Sequence, residues 1–427
     1  MPAITSQLTR QLGLFGAVGM GLGSIIGTGI FVSVGLAAGI AGPYVVVALV
    51  IGGAIGALNG LSSAQLAAAH PVTGGTYEYG YKYLNAPLGF SAGWMFLCAK
   101  TASAATAALG FAGYALRAAG QDAALKTPIA VGTAVLLTLI VLAGLRRSNV
   151  VNIAIVSVTL FSLLFLVFIG ARTALGRAPQ NLALAEIAPR DLFEASALMF
   201  VAFTGYARIA TLGEEVHDPQ KTIPRAIIIV LGVSVVLYCT VAFVAVGVLG
   251  GQRLGEVTRQ SAAPLEAVAG ELMGRGGALV LTIGACAAML GVLLNLILGL
   301  SRVLLAMGRR RDMPAALAHV NKRKDAPPVA VIVVGVAVAG LAAVGNVKTT
   351  WSFSAFSVLI YYAITNLACL RLPREQRTMP RALAVVGLIG CLGLAFFVDW
   401  QVWVAGLGLI AAGLIWFGAA RLLSRKS

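Results

Sequence analysis

Residues 23–31 read GSIIGTGIF, and this run of glycines and hydroxyl residues inside an apolar segment decides the fold. The segment around it, roughly residues 12–38, can cross a bilayer, which takes about 20 mostly apolar residues. Each glycine weakens a helix by roughly 1 kcal/mol relative to alanine. The run therefore predicts a membrane helix that is interrupted halfway, where backbone groups without partners are costly unless something else bonds them.

Composition outside this run indicates that the whole chain is one membrane domain. Of the 427 residues, 59% are hydrophobic and 11% are charged, and the mean hydropathy is +0.92. Soluble domains are about half apolar and about a quarter charged. Too little polar surface remains to cover a water-facing globule, so we expect an all-α integral membrane protein with a single domain over residues 1–427.

The net charge of +16 comes from basic residues in short loops between apolar runs, not from one basic stripe. Such charges hold loops on the cytoplasmic side of a membrane, and a nucleic-acid partner is not expected. The loops that share a side with both termini, including residues 309–311 and 371–381, carry most of them. We therefore predict a multi-pass protein of the cell (inner) membrane, embedded in the lipid bilayer, with both termini in the cytoplasm.

Apolar stretches of spanning length recur along the chain and predict twelve transmembrane helices. They comprise residues 12–38, 43–69, 88–116, 128–145, 150–172, 193–213, 226–249, 277–306, 328–345, 351–370, 382–398 and 402–420.

The sixth span carries a second polar interruption, the FTGY sequence of residues 203–206, followed by Arg208. Interrupted helices at corresponding positions of two halves are the best sequence indication of a transporter site. We therefore predict a 5+5 inverted repeat with discontinuous helices 1 and 6. Its halves are residues 11–172 and 193–371, and residues 381–420 form two additional helices.

The two interruptions together would make a receptor for a zwitterion. Backbone N–H groups at the start of a half-helix attract a carboxylate, and glycines let the ligand approach the backbone. Free carbonyls near residues 201–205 would accept hydrogen bonds from an ammonium group. The alternative is that the glycines only let helices pack closely.

Four blocks of sequence, in order along most of the chain, resemble the amino acid–polyamine–organocation (APC) superfamily of transporters. Residues 23–31 look like its first-helix motif, residues 71–77 (PVTGGTY) like its loop after helix two, and residues 203–226 like its helix-six block. Residues 301–314 are similar to the end of its helix eight. The resemblance implies the leucine-transporter-like fold, alternating access, and amino acid or amine substrates.

The resemblance also implies a set of substrate-binding positions. A substrate carboxylate would meet Gly27, Thr28 and Gly29, and the amino group would meet the carbonyls of Ile25, Val201 and Thr204. The mostly small and apolar lining favours a neutral amino acid. The full set comprises Ser24, Ile25, Gly27, Thr28, Gly29, Thr101, Val201, Phe203, Thr204 and Gly205.

Three positions depart from the family pattern. Ala207 stands where members often carry a Glu, and Thr159 stands where proton-coupled members carry a Lys on helix five. The helix-eight stretch Gly291-Val292 lacks the hydroxyl pair of sodium-coupled relatives. We therefore expect proton-linked transport or exchange rather than sodium coupling, without the usual lysine.

Lys100, Arg208 and Asn295 are the candidates for coupling or gating. A charged residue at mid-membrane costs about 2.5–3.5 kcal/mol on insertion scales and is a functional candidate by default. Lys100 could replace the missing helix-five lysine, or be a structural lysine that snorkels or bonds carbonyls. Arg208 could close a gate, contact an acidic substrate, or pair with Glu214 or Glu215, and Asn295 could serve helix packing equally well.

The leading interpretation is a permease for neutral amino acids, and an amino acid or metabolite exporter or antiporter is the first alternative. A ligand sensor without flux would usually add a soluble signalling domain, for which no room remains. A membrane enzyme would need a cluster of His, Asp, Glu or Cys at membrane depth, and the sequence shows none. We expect no cofactor and no metal, and the expected partners are an amino acid and, if transport is proton-linked, protons.

Overall fold

The computed structural model describes residues 13–70, 74–144, 149–184, 186–210, 216–320 and 327–424, and the regular elements in them are helices. The α-helices of these residues are α1 (Leu14–Ile25), α2 (Val34–Ala41), α3 (Val45–Ala69), α4 (Thr76–Tyr83), α5 (Ala86–Ala118), α6 (Lys126–Leu142), α7 (Asn149–Gly176), α8 (Ala178–Asn181), α9 (Pro189–Phe203), α10 (Ala207–Ala210), α11 (Pro219–Leu249), α12 (Gly251–Ser261), α13 (Pro264–Arg309), α14 (Pro328–Val344), α15 (Val347–Leu370), α16 (Arg381–Ala395) and α17 (Trp400–Ser424).

Nine helical stretches of the described residues are long and apolar enough to cross a membrane, by length and composition. One of them, Gly29–Ala69, contains both α2 and α3. The two helices are separated at Gly42, where φ is 54°. Three shorter apolar helices, α1, α14 and α16, fall below the usual spanning length. The helices indicate a multi-pass membrane protein, and the count of twelve spans stays a prediction.

Helix α5 lies at the centre of the molecule, packed against α13, α15 and α6. Its sequence is rich in Ala and Gly, which let neighbouring helices approach closely. In the most apolar part of α5, 72% of the residues are buried, against 28% in α7 and 17% in α17. Helices α5 and α15 therefore form the interior, while α7 and α17 offer their apolar side chains to the surroundings.

The first predicted interruption is confirmed. Helix α1 ends at Ile25, and Ile26 is extended, with φ −75° and ψ 110°. A turn of π-helix, Gly29–Ser33, then leads into α2.

The second interruption has a different form. A 3₁₀ turn, Thr204–Tyr206, separates α9 from α10, and its flanking residues Phe203 and Ala207 keep near-helical dihedral angles. The chain is tightened at this point, whereas at Ile26 it is extended.

Helix α13 extends from Pro264 to Arg309 and includes the span predicted to begin at residue 277 as its longer part. It contains a sharp kink at Met273 and Gly274, where Gly274 has φ 61°. Glycine adopts this left-handed conformation without strain. The first ten residues of α13 therefore form a separate arm, which sequence hydropathy alone does not identify.

Candidate functional site

A cavity of about 400 Å³ lies where the two interruptions meet. Most of the sequence-predicted site and coupling residues line it together: Ser24, Ile25, Gly27, Thr28, Gly29, Lys100, Val201, Thr204, Gly205, Arg208 and Asn295. Two predicted residues do not line it. Thr101 is buried elsewhere on α5, and the Phe203 ring packs on Tyr238 with 5.3 Å between ring centroids.

The first interruption presents hydrogen-bond donors to the cavity. The N–H groups of Ile30 and Phe31 donate to the Gly27 carbonyl at 3.1 and 3.2 Å. Within the described part of the chain, the N–H groups of Gly27, Thr28 and Gly29 have no acceptor. The Thr28 hydroxyl is buried and likewise has no partner among these residues. Buried polar groups are nearly always bonded in native proteins, so these donors indicate a place for an acceptor.

The glycines also bring the two interruptions into contact. A Cβ atom on Gly205 would lie 2.2 Å from the Ser24 carbonyl oxygen, and one on Gly29 would lie 2.4 Å from the Ala202 Cβ. A Cβ on Gly27 would instead meet Val292 of α13 at 2.7 Å. Gly29 and Gly205 therefore allow the two interruptions to pack closely, whereas Gly27 allows the first interruption to pack against α13.

The second interruption offers fewer free acceptors than the sequence suggests. The Val201 carbonyl accepts from the Thr204 hydroxyl at 2.8 Å and from the Thr204 N–H. The Thr204 carbonyl accepts from the Ala207 N–H and, at 3.4 Å, from the Tyr362 hydroxyl. A carbonyl oxygen has two lone pairs, so both oxygens are fully used.

The Ile25 carbonyl also has a partner, since it accepts from the Tyr238 hydroxyl at 2.9 Å. This oxygen keeps one lone pair available for a further donor. Of the three carbonyls predicted to bind an amino group, Ile25 thus has the most capacity left.

Lys100 connects the central helix to the second interruption. Its Nζ donates to the Thr204 hydroxyl at 2.9 Å, and no carboxylate of the described residues forms an ion pair with it. At the position of the family lysine, the Thr159 hydroxyl bonds back to the Ile155 carbonyl of its own helix at 2.7 Å. Lys100 is therefore a cation that lines the cavity without a described anionic partner.

Arg208 and Asn295 line the same cavity from α10 and α13. The acidic residues considered as partners of Arg208, Glu214 and Glu215, lie outside the described residues. Arg302 is a further basic residue of the lining, and the described lining residues include no Asp or Glu. The described part of the wall is therefore positively charged.

One end of the cavity is formed by α4 and the residues before it, Gly74 and Gly75, whose φ angles are 126° and 58°. Tyr77 and Tyr81 of α4 both donate to Oδ2 of the buried Asp312, at 2.5 and 2.7 Å. Burial and the bond to Asp312 raise the pKa of both tyrosines, so both remain protonated donors.

A second set of contacts fixes the same end. Arg310 pairs with Glu78 and covers the Tyr81 ring at 4.1 Å, and the Trp416 indole of α17 donates to the Asp312 carbonyl at 3.0 Å. We call Asp312 and its tyrosine partners the α4 clamp. The sequence analysis missed it, although tyrosines four residues apart on a short helix share one face and indicate a common partner.

Aromatic side chains of α15 form another part of the cavity wall. Trp351, near the start of α15, donates its indole N–H to the Leu198 carbonyl at 2.9 Å. The Tyr362 ring stands edge-on to the buried Phe200, with 5.7 Å between centroids. The cavity thus extends from the interruptions to α4, and Trp351 and Tyr362 complete its wall.

Residues 12–417 match the family model described as Amino acid permease. An uncharacterized transporter of Mycobacterium tuberculosis (strain CDC 1551 / Oshkosh) is 41% identical over 429 residues, which cover 99% of this chain and 94% of the relative.

Two relatives from Bacillus subtilis (strain 168) carry more specific names. The branched-chain amino acid permease BcaP is 28% identical over 436 residues, covering 96% of this chain and 92% of BcaP. A methylthioribose transporter is 27% identical over 454 residues, covering 99% and 95%. Their names differ in substrate while their identities are nearly equal, so identity alone does not select a ligand.

Proposed function

Because the chain belongs to the amino acid permease family, we propose that it is a secondary transporter that moves neutral amino acids across the cell membrane by alternating access. The family and the transporter names of its relatives point to a non-enzymatic protein. The observation that carries the proposal is the cavity at the two interruptions, with unpartnered N–H groups and the Thr28 hydroxyl on its wall.

The twelve-span architecture is part of this proposal. If α1 with α2 and α9 with α10 each count as one interrupted span, then α3, α5, α6, α7, α11, α13, α14, α15, α16 and α17 complete twelve. Each interrupted span would open one half of a 5+5 inverted repeat, and the meeting of both at one cavity supports that arrangement. With both termini in the cytoplasm, the α4 end of the cavity would face the cytoplasm.

The donors and the apolar part of the wall support a zwitterion with a neutral side chain. Its carboxylate would accept from the N–H groups of residues 27–29 and from Thr28, at the start of the following helical turn. Its ammonium would use the remaining lone pair of the Ile25 carbonyl. Phe96, Val292 and Leu296 give the side chain apolar surface. The name of the branched-chain permease is consistent with such a substrate.

For coupling, we propose that protons or an exchanged substrate drive transport and that Lys100 responds to them. Gly291 and Val292 bring no side-chain oxygen for sodium. Lys100 bonds the Thr204 hydroxyl inside the second interruption, so a change in its charge or partner would act directly on that turn. A burial cost that is not balanced by an anion makes a lysine a candidate for proton exchange.

Reconstituted liposomes test the proposed activity. Amino acids are first screened for thermal stabilisation of the purified protein, since stabilisation follows ligand occupancy. Uptake of the best ligand is then measured with a pH gradient, with a sodium gradient, and with the amino acid preloaded. We expect uptake that responds to the pH gradient or to preloading and not to sodium. Binding without flux would indicate a sensor, and acceleration only by preloading would favour the antiporter.

Lys100→Met tests the coupling role in the same liposomes. We expect the substitution to lower the uptake rate by about tenfold, or roughly 1.4 kcal/mol, and to flatten its dependence on pH. Thr204→Val is the companion variant, because it removes the acceptor of Lys100 and leaves the charge in place. If Lys100→Met keeps the wild-type rate and pH profile and only lowers the melting temperature, Lys100 is structural.

A further inference from the structure

The turn between α15 and α16 forms a basic pocket that shares no lining residue with the cavity at the two interruptions. Its volume is about 490 Å³, and its lining comprises Leu370, Arg371, Leu372, Pro373, Arg377 and Arg381. Arg371 and Arg381 are exposed, and Arg377 is half-buried. Glu375 of the same turn does not line the pocket, and no ion pair of these three arginines occurs among the described residues. We call this site the arginine turn.

The arginine turn is held in place before any ligand binds. The Arg377 Nε donates to the Leu372 carbonyl at 2.8 Å. The N–H groups of Thr378 and Met379 donate to Oε1 of the buried Gln65 on α3, at 3.3 and 3.1 Å. The first bond fixes Arg377 within the turn and the two bonds to Gln65 attach the turn to α3, so its arginines surround a preformed pocket.

The position of Arg381 favours the binding of an anion. It is the first residue of α16, where the helix dipole carries partial positive charge. A cation is disfavoured there, and two further guanidinium groups beside it add repulsion. A phosphate would balance all of these charges and can accept paired hydrogen bonds from an arginine.

An apolar strip continues from the arginine turn along the outer face of α16. Val385, Ile389 and Leu392 follow Arg381 at helical spacing and are 40%, 66% and 42% exposed. A free phosphate or a nucleotide would use the arginines alone. A phospholipid would use both features, with its phosphate among the arginines and an acyl chain on the strip.

We propose that the arginine turn is a binding site for an anionic phospholipid. Its location at a helix end, next to α3 and the Tyr83 hydroxyl, which donates to Gln376 at 3.4 Å, places it on the same side as α4. Clusters of basic residues at this level of a membrane protein attract anionic headgroups. The site is separate from the amino acid cavity, so it does not rest on the proposed transport activity.

Native mass spectrometry of the full-length protein in detergent tests the proposal. Phosphatidylglycerol and phosphatidylcholine are titrated separately, and glycerol phosphate is added as a soluble competitor. We expect bound phosphatidylglycerol to exceed phosphatidylcholine. The Arg371→Gln/Arg381→Gln double variant should lose about tenfold or more in apparent affinity for phosphatidylglycerol. Arg371→Lys/Arg381→Lys should retain most of it, because the charge remains.

Two controls decide the interpretation. Arg172→Gln/Arg275→Gln removes two exposed arginines at other helices, and equal loss in this variant would show that only net charge matters and overturn the site. Ile389→Ser shortens the apolar strip and should lower lipid retention severalfold while glycerol phosphate binding is unchanged. If glycerol phosphate displaces the lipid at similar concentration and Ile389→Ser has no effect, the ligand is a phosphate and the lipid proposal is wrong.

Discussion

The two interruptions that form the cavity differ in which backbone groups they leave available. At the first, an extended Ile26 and a π turn leave three N–H groups and the Thr28 hydroxyl without partners in the described structure. At the second, a 3₁₀ turn and the Thr204 hydroxyl use the carbonyls of Val201 and Thr204. The anionic end of a ligand would therefore meet prepared donors, whereas its cationic end would have to compete for acceptors.

The difference has a simple local cause. Glycine brings no side chain that could satisfy the backbone, so a glycine-rich interruption stays open to a ligand. The Thr204 hydroxyl instead bonds the Val201 carbonyl three residues earlier, so the second interruption satisfies part of its own backbone. Recognition in this site should therefore be dominated by the carboxylate of the substrate, and three substitutions measure how far that holds.

The largest effect is expected where the interruptions touch. Gly205→Ala would place a Cβ 2.2 Å from the Ser24 carbonyl, and backbone cannot move aside as a side chain can. We expect a loss of about 1–3 kcal/mol in stability and no detectable transport. Gly299→Ala is the matched control, because Gly299 also lines the cavity and its Cβ would meet nothing within 4 Å. Normal melting and uptake in Gly205→Ala would show that the interruptions are not held this closely.

An intermediate effect is expected for the unpartnered hydroxyl. Thr28→Val keeps the shape of the side chain and removes a group that has no described partner, so the melting temperature without ligand should not fall. Affinity for the best amino acid should fall by about tenfold, since a hydrogen bond to a charged group contributes roughly 1.5–3 kcal/mol.

Ser352→Ala is the control for that variant, because Ser352 is another buried hydroxyl without a described partner and does not line the cavity. Thermal-shift titration of both variants makes the comparison. Equal affinity in Thr28→Val and wild type would remove Thr28 from the carboxylate site.

The smallest effect is expected at the Ile25 carbonyl, which would accept a hydrogen bond from the ammonium group of the substrate. Tyr238→Phe removes the donor to the Ile25 carbonyl and should cost about 1 kcal/mol in stability. The freed lone pair should let amino acid affinity hold or rise severalfold. Tyr114→Phe removes an equivalent bond to the Phe31 carbonyl, which does not line the cavity, and should cost similar stability without changing affinity. A drop in affinity confined to Tyr238→Phe would mean that Tyr238 positions the site.

Much of this site can be predicted from the sequence because glycine and hydroxyl residues act locally. The run at residues 23–31 and the polar sequence at 203–206 identify both interruptions, and mid-membrane charge identifies Lys100. Sequence order could not show that Phe203 points at Tyr238 while its neighbour Thr204 faces the cavity. The partner of the Ile25 carbonyl lies 213 residues away, which no local pattern reveals.

The fold, too, has features that local sequence predicts and features that depend on contacts between distant residues. Apolar length predicts most helices, including the part of α13 after Gly274, but it does not identify the arm before Gly274, which precedes the apolar stretch. The α4 clamp likewise depends on residues far apart in sequence. Tyrosine spacing indicates a shared partner, and only the packed structure identifies that partner as Asp312.

The α4 clamp also sets an order of assembly during synthesis. Tyr77 must wait for Asp312, which is made 235 residues later, and Asp312 is in turn held by Trp416 from the last helix. Contacts between such distant parts of a chain form late. A nascent chain released before Trp416 would insert most of its helices and still lack the bond that holds Asp312 at the α4 end of the cavity, so quality control of this protein can depend on its final helix.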